Sequence, residues 1–244
     1  MFMLKGNWMS IKALLFDLDG TLTHSDAIHF LAFQKLLAAE GREIDEDIFR
    51  RHISGRSNVE VGERLFPERP REDHVLLLDR KEALFRDFAD DLVPLAGAIE
   101  LMDLARRKDL GLALVTNAPR KNVKHMLAAI GAADRFDTIV YGDEMTRPKP
   151  DPLPYLTGLE QLDVAAVDAL AFEDSIPGVQ AAKAAGIFTI GVTTTRTDHE
   201  LAAAGADLTI ADFTDGRLLA MLSDAETSHG SKPASSSLPI PASS

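Results

Sequence analysis

The chain of 244 residues contains no cysteine, which excludes disulfides and thiolate metal sites and fits a cytosolic protein. Basic residues are few: 26 Lys and Arg stand against 38 Asp and Glu, giving a formal charge of −12 with no basic stripe. Nucleic acid and anionic membrane are therefore poor partners. Long apolar runs are also missing. No stretch approaches the ~18 to 20 residues of a membrane span, and Phe2, Met3 and Leu4 are too short a run for a signal peptide. A soluble, cytoplasmic protein is expected, with no membrane association; composition is silent on oligomeric state, and a monomer is the favoured reading. An apolar content of 45% is enough for one large domain or for a main domain carrying a smaller insert.

What is present is organised around Phe16-Asp-Leu-Asp-Gly-Thr-Leu22. The apolar run from Ile11 to Phe16 has the length of a buried strand. Asp17 and Asp19 follow it, and Gly20 marks a sharp turn. Two acids this close repel each other unless a cation or shared proton offsets the charge, so a hard metal ion is the first expectation. Residues 25 to 92 carry only helical patterns, including Phe30, Phe33 and Leu37, a stretch opening at Ile44, and a long segment from Arg71 to Asp91. From Pro94 onward strand and helix alternate. Apolar runs end at Thr116 and Asn117, at Tyr141, at Glu173 and Asp174, at Val192 and at Ala211, with helices predicted over Ala98–Lys108, Asn122–Ile130, Pro152–Leu162 and Gly178–Ala185. This is a parallel α/β layout. Residues 225–244, rich in Ser and Pro, read as a disordered tail; 1–24 with 93–224 read as the core, and 25–92 as a helical insert.

Ligands of open α/β sheets sit beyond the carboxyl ends of the strands. That rule collects Asp17, Asp19, Thr116, Asn117, Glu173 and Asp174, together with Lys149 in a loop stiffened by prolines. Three or so carboxylates suit Mg²⁺, which takes oxygen ligands. Lys149 and Thr116 would bind phosphoryl oxygens and stabilise charge building there. Asp17 could then attack phosphorus, while Asp19 protonates the leaving oxygen and later activates water. Thr116 and Asn117 could instead cap the following helix, and Glu173 could orient Lys149 or metal-bound water in place of binding metal.

In these residues the sequence resembles the haloacid dehalogenase superfamily of phosphohydrolases, in the subgroup with a helical cap after the first strand. Four motifs carry the resemblance over roughly Ile11 to Leu222: Asp17 to Thr21, the strand ending at Thr116, Lys149, and Glu173-Asp174 followed by Gly178. It implies a Rossmann-like parallel-sheet core with an inserted α-helical cap. It also implies Asp17 as nucleophile and metal ligand, Asp19 as acid/base with its carbonyl on the metal, Asp174 as metal ligand, Glu173 as a supporting acid, and Mg²⁺ as cofactor. Within the superfamily the chain is similar to the beta-phosphoglucomutase and sugar-phosphate phosphatase branch, where His29 matches a histidine at the start of the first cap helix. Gly55, Arg56 and Asn58 fall in the cap segment that meets substrate. The mutase pattern has a Lys before the cap glycine and an Arg three after it; here those positions are Ser54 and Asn58, with Arg51 and Arg56 nearby. A phosphatase acting on a small phosphorylated metabolite is thus expected, with a phosphomutase or a silent binding protein on the same fold as alternatives.

Overall fold

The apolar run before the acidic turn forms β1 (Ala13–Phe16), all four residues of which are buried, as a strand covered on both faces requires. The computed structural model describes residues 11–54, 56 and 58–223; Gly55 and residues 225–244 lie outside these. Five helices separate β1 from the next strand, and the first four are α1 (Asp26–Ala39), α2 (Glu46–His52), α3 (Asn58–Leu65) and α4 (Arg71–Phe88). Strands and helices then alternate as α5 (Ala98–Arg107), β2 (Gly111–Thr116), α6 (Arg120–Ala129), β3 (Thr138–Tyr141), α7 (Leu153–Leu162), β4 (Ala169–Glu173), α8 (Ile176–Ala184), β5 (Phe188–Val192), α9 (Asp198–Ala204), β6 (Leu208–Ile210) and α10 (Gly216–Ser223).

The sheet is parallel, in the order β3-β2-β1-β4-β5-β6. Successive strands are added first to one side of β1 and then, from β4 on, to the other. That reversal opens a crevice at the carboxyl ends of the central strands. Register places Phe16 beside both Leu114 and Phe172, so the residues just past β1 emerge level with the ends of β2 and β4.

Side chains alternate between the two faces. Leu14 and Phe16 join Leu114 and Phe172 in one apolar layer under α5, α6 and α10, while Ala13, Leu15, Ala113 and Val115 face Tyr155 and Leu159 of α7 and Ala181 and Ala182 of α8. Phe16 stacks on Phe172 with ring centroids 4.7 Å apart, a pairing worth about 0.5–1.5 kcal/mol beyond area burial. Helices α1 to α4 bury an apolar cluster of their own around Phe33, Leu37, Phe49, Phe66 and Leu77. The two links joining them to the sheet run side by side: Thr23 Oγ1 donates to the Val93 carbonyl at 2.7 Å, and Leu95 N donates to the Leu22 carbonyl at 2.7 Å.

Some boundaries differ from the sequence expectation. Helix α8 starts at Ile176, not Gly178, because Ser175 caps it by accepting from Gly178 N at 3.1 Å. Helix α2 starts after Asp45, whose Oδ1 accepts from Ile48 N, leaving Ile44 outside. Helix α4 stops at Phe88, short of Asp91. Helices α9 and α10 were not expected, although Thr197 and Glu200 form a capping box legible as Thr-x-x-Glu. Among the described residues no helix is long and apolar enough to cross a membrane.

Candidate active site

Past β1, Asp17 N still donates to the Phe172 carbonyl at 3.0 Å, so the ladder to β4 continues one residue beyond the strand. Leu18 turns into the core and is fully buried. Asp17 and Asp19 flank this anchor and both line the cleft over the sheet. The turn then needs glycine at position 20: φ is +74°, and a Cβ there would lie 2.1 Å from Asp174 Oδ2.

Lys149 is the hub on the sheet side. Its Nζ donates to Asp17 Oδ1 at 2.8 Å, the Val115 carbonyl at 2.7 Å and Glu173 Oε1 at 2.5 Å. Burial works against its charge, but Asp17 and Glu173 outweigh it and its pKa is raised to about 12. Glu173 is enclosed by donors, with Tyr155 Oη donating to Oε1 at 2.7 Å and Ser175 Oγ to Oε2 at 3.3 Å. Its carboxylate also occupies the space above Gly178, where a Cβ would come within 1.9 Å of Oε2.

Asp17, Glu173 and Asp174 offer oxygens within 4.8 Å of one another, all buried. Burial pushes Asp17 up to about 7, with Lys149 resisting and Glu173 adding to the rise. Asp174 is pushed well above the usual carboxylate range by burial and then by Asp17 and Glu173. Such a group is short of positive charge, and the oxygen-only donor set fits a hard metal cation. Because Glu173 already accepts from Lys149, Tyr155 and Ser175, the carboxylates that could hold a metal are Asp17 and Asp174. Thr195 Oγ1 orients the latter from 2.6 Å of Oδ2.

Asp19 is handled separately. Its Oδ1 accepts from Ser25 Oγ at 2.6 Å and faces His29 Nε2 at 3.0 Å. Burial would raise its pKa, but the His29 and Ser25 hydrogen bonds prevail and hold it below the usual range. Lys81 Nζ lies 3.2 Å from His29 Nδ1. Since an ammonium can only donate, the network assigns the proton to Nε2 and makes Nδ1 an acceptor. His29 also stacks on Phe85 at 4.0 Å.

Thr116 and Asn117 lie at the end of β2 on the cleft wall, and neither caps α6, whose N-cap is Pro119. Thr116 Oγ1 accepts from Ala118 N at 3.0 Å. The Asn117 side chain brackets the Lys149 backbone, 3.4 Å from its N–H and 3.5 Å from its carbonyl, and so positions the lysine loop. On the helical side, Arg56 lines the cleft with its guanidinium 4.0 Å from Glu60, and Asn58 Nδ2 donates to Glu82 Oε1 at 2.8 Å.

Several site residues escaped the sequence reading. Lys81 and Glu82 are buried on α4, where Leu77, Leu78 and Phe85 share the same face at helical spacing; the two charges interrupting that apolar face were the available signal. Glu82 also reaches across to α6, accepting from Asn122 Nδ2 at 2.6 Å. Ser25, Asp26, Tyr155 and Thr195 bear no motif, and only the fold brings them in.

Fold and cleft together define a Rossmann-like α/β core with an acidic, lysine-bearing site at its switch point. The model of haloacid dehalogenase-like hydrolases matches residues 14–192, and the chain belongs to that family. Validoxylamine A 7'-phosphate phosphatase of Streptomyces hygroscopicus subsp. limoneus is 33% identical over 216 residues, covering 84% of this chain and 96% of the relative. Beta-phosphoglucomutase of Bacillus subtilis is 29% identical over 193 residues, covering 75% of this chain and 83% of that one. The crystal structure of CbbY from Rhodobacter sphaeroides in complex with phosphate superimposes with a TM-score of 0.78 at 30% identity, covering 87% of this chain and 99% of that one.

Proposed function

We propose that this protein is a Mg²⁺-dependent phosphatase of small sugar or polyol phosphates that works through an aspartyl-phosphate, with α1 to α4 closing over the site as a cap. The observation that carries this reading is the division of labour between two aspartates two residues apart. Asp17 is fixed by Lys149 beside Asp174, while Asp19 is fixed by Ser25 and His29 on the cap side. Asp17 and Asp174 would hold the metal, which when bound screens the repulsion between a carboxylate nucleophile and a phosphate anion.

Lys149 and Thr116 bind phosphoryl oxygens and stabilise the charge spread over them in transfer. Asp17 attacks phosphorus as the bond to the leaving oxygen breaks, and Asp19 gives that oxygen its proton. The resting hydrogen bonds favour ionised Asp19, but a phosphate anion beside it raises its proton affinity. Once the alcohol has left, Asp19 takes a proton from water, whose oxygen attacks the aspartyl-phosphate, freeing phosphate and Asp17.

A phosphomutase must hold a second phosphate against the cap. Ser54 and Asn58 are uncharged where the mutase pattern has cations, so hydrolysis is favoured. The test is phosphate release from sugar and polyol phosphates with Mg²⁺ and with chelator, beside a coupled assay for glucose 6-phosphate from beta-glucose 1-phosphate. Magnesium-dependent release that Asp17→Asn abolishes is expected. Glucose 6-phosphate formed with little free phosphate would make the protein a mutase, and a tenth of the activity surviving in Asp17→Asn would remove Asp17 as nucleophile.

A further inference from the structure

Resting on the phosphatase reading, we propose that the cap side of the cleft selects phosphomonoesters whose leaving group presents hydrogen-bond donors, hydroxyl or ammonium, and rejects those bearing a second anion, with Glu82 as the principal determinant and Asp26 as its accessory. The two positions where the mutase pattern has cations here bring a neutral donor that ends on a carboxylate. Ser54 Oγ donates to Asp26 Oδ2 at 3.1 Å, and Asn58 Nδ2 donates to Glu82 Oε1 at 2.8 Å. Asp26 and Glu82 both line the cleft that also holds Asp17, Thr116 and Lys149. The part of a substrate that projects beyond the phosphoryl group therefore meets carboxylate oxygens.

The two lysines of the cleft are not available to a second anion. Lys149 serves Asp17, Glu173 and the phosphoryl group being transferred. Lys81 lies 2.7 Å from Glu82 Oε1, 3.2 Å from His29 Nδ1 and 4.8 Å from the centre of the Phe33 ring. Arg56 faces Glu60. Glu82 receives donors from Lys81, Asn58 and Asn122. An ionised carboxylate has about four lone-pair directions, so acceptor capacity remains for a substrate donor. Burial alone would raise the pKa of Glu82, but the charge of Lys81 and the hydrogen bonds from Lys81 and Asn58 overcome it and keep the group below its usual range. A hydroxyl or ammonium gains a charge-assisted hydrogen bond there; a carboxylate or second phosphate meets a fixed like charge at Glu82.

The experiment compares kcat/KM with Mg²⁺ for glycerol 3-phosphate, glucosamine 6-phosphate, phosphoglycolate and fructose 1,6-bisphosphate, with p-nitrophenyl phosphate as reference. Wild type is expected to favour the first two over the two anionic substrates by about tenfold or more, the scale on which one well-placed polar contact discriminates. Glu82→Gln should narrow that ratio severalfold, and Asn58→Lys, which adds a cation facing Glu82, should narrow it independently should Glu82→Gln fail to fold. Hydrolysis that favours phosphoglycolate or the bisphosphate overturns the inference and leaves the phosphatase intact. So does a ratio unmoved in both variants, or one set by Arg56→Ala instead. No metal-dependent release from any of the five overturns the phosphatase reading, and the inference with it.

Discussion

Replacing Lys149 by methionine keeps the bulk of the side chain and removes its charge, which isolates what the ammonium does. In the native protein it joins Asp17, Glu173 and the Val115 carbonyl inside a site from which water is largely excluded. Removing one partner of a buried ion pair leaves the other uncompensated and costs about 3–5 kcal/mol. For a protein of this length that is a fall in Tm of roughly 6–20 °C. The cost should depend on pH. Asp17 already stands raised to about 7 by burial, with Lys149 resisting the rise; without Lys149 it is held further above its unfolded value of about 3.9. The folded state then binds protons more tightly than the unfolded one, so stability is lost as pH rises above that value and regained as it falls. Urea melts followed by circular dichroism at pH 5 and pH 8 provide the assay, with the deficit of Lys149→Met larger at pH 8. A deficit below about 1 kcal/mol at pH 8, the size of one ordinary hydrogen bond, or one that grows toward pH 5, would refute the reasoning.

Two further outcomes follow from the same site. Gly178→Ala reverses a familiar sign: within a helix such a change ordinarily stabilises by about 1 kcal/mol, but here the new methyl would overlap Glu173, which Lys149, Tyr155 and Ser175 hold in place. A net loss of about 1–3 kcal/mol in denaturant unfolding, with reduced turnover, is expected; a more stable variant would show that Glu173 is free to move. Asp174→Asn removes one of the crowded buried acids, so in chelator it should melt no lower than wild type. With Mg²⁺ at 100 times its Kd, wild type should gain about 2.7 kcal/mol of stability, and Asp174→Asn should lose most of that gain in a thermal melt.

The sequence by itself determined the six strands, the helices as far as α8 and the residues at the strand ends. Local signals suffice there: the buried run before Asp17, the helical periods from Phe30 to Phe88, and the later alternation all report pattern and punctuation, which neighbouring residues carry. Asp17, Asp19, Lys149, Glu173 and Asp174 were legible because short motifs mark strand ends, where an open sheet collects its ligands. Only the tertiary structure decided which groups touch. Strand order places β4 beside β1, and so Glu173 rather than another acid became the partner of Lys149. Packing of α4 against α1 and α6 brought Lys81 and Glu82 to His29 and Asn122, across 52 and 40 residues of chain. A buried charge is written in the sequence like any exposed one; its role follows from the partners that long-range packing supplies, and no local pattern encodes those.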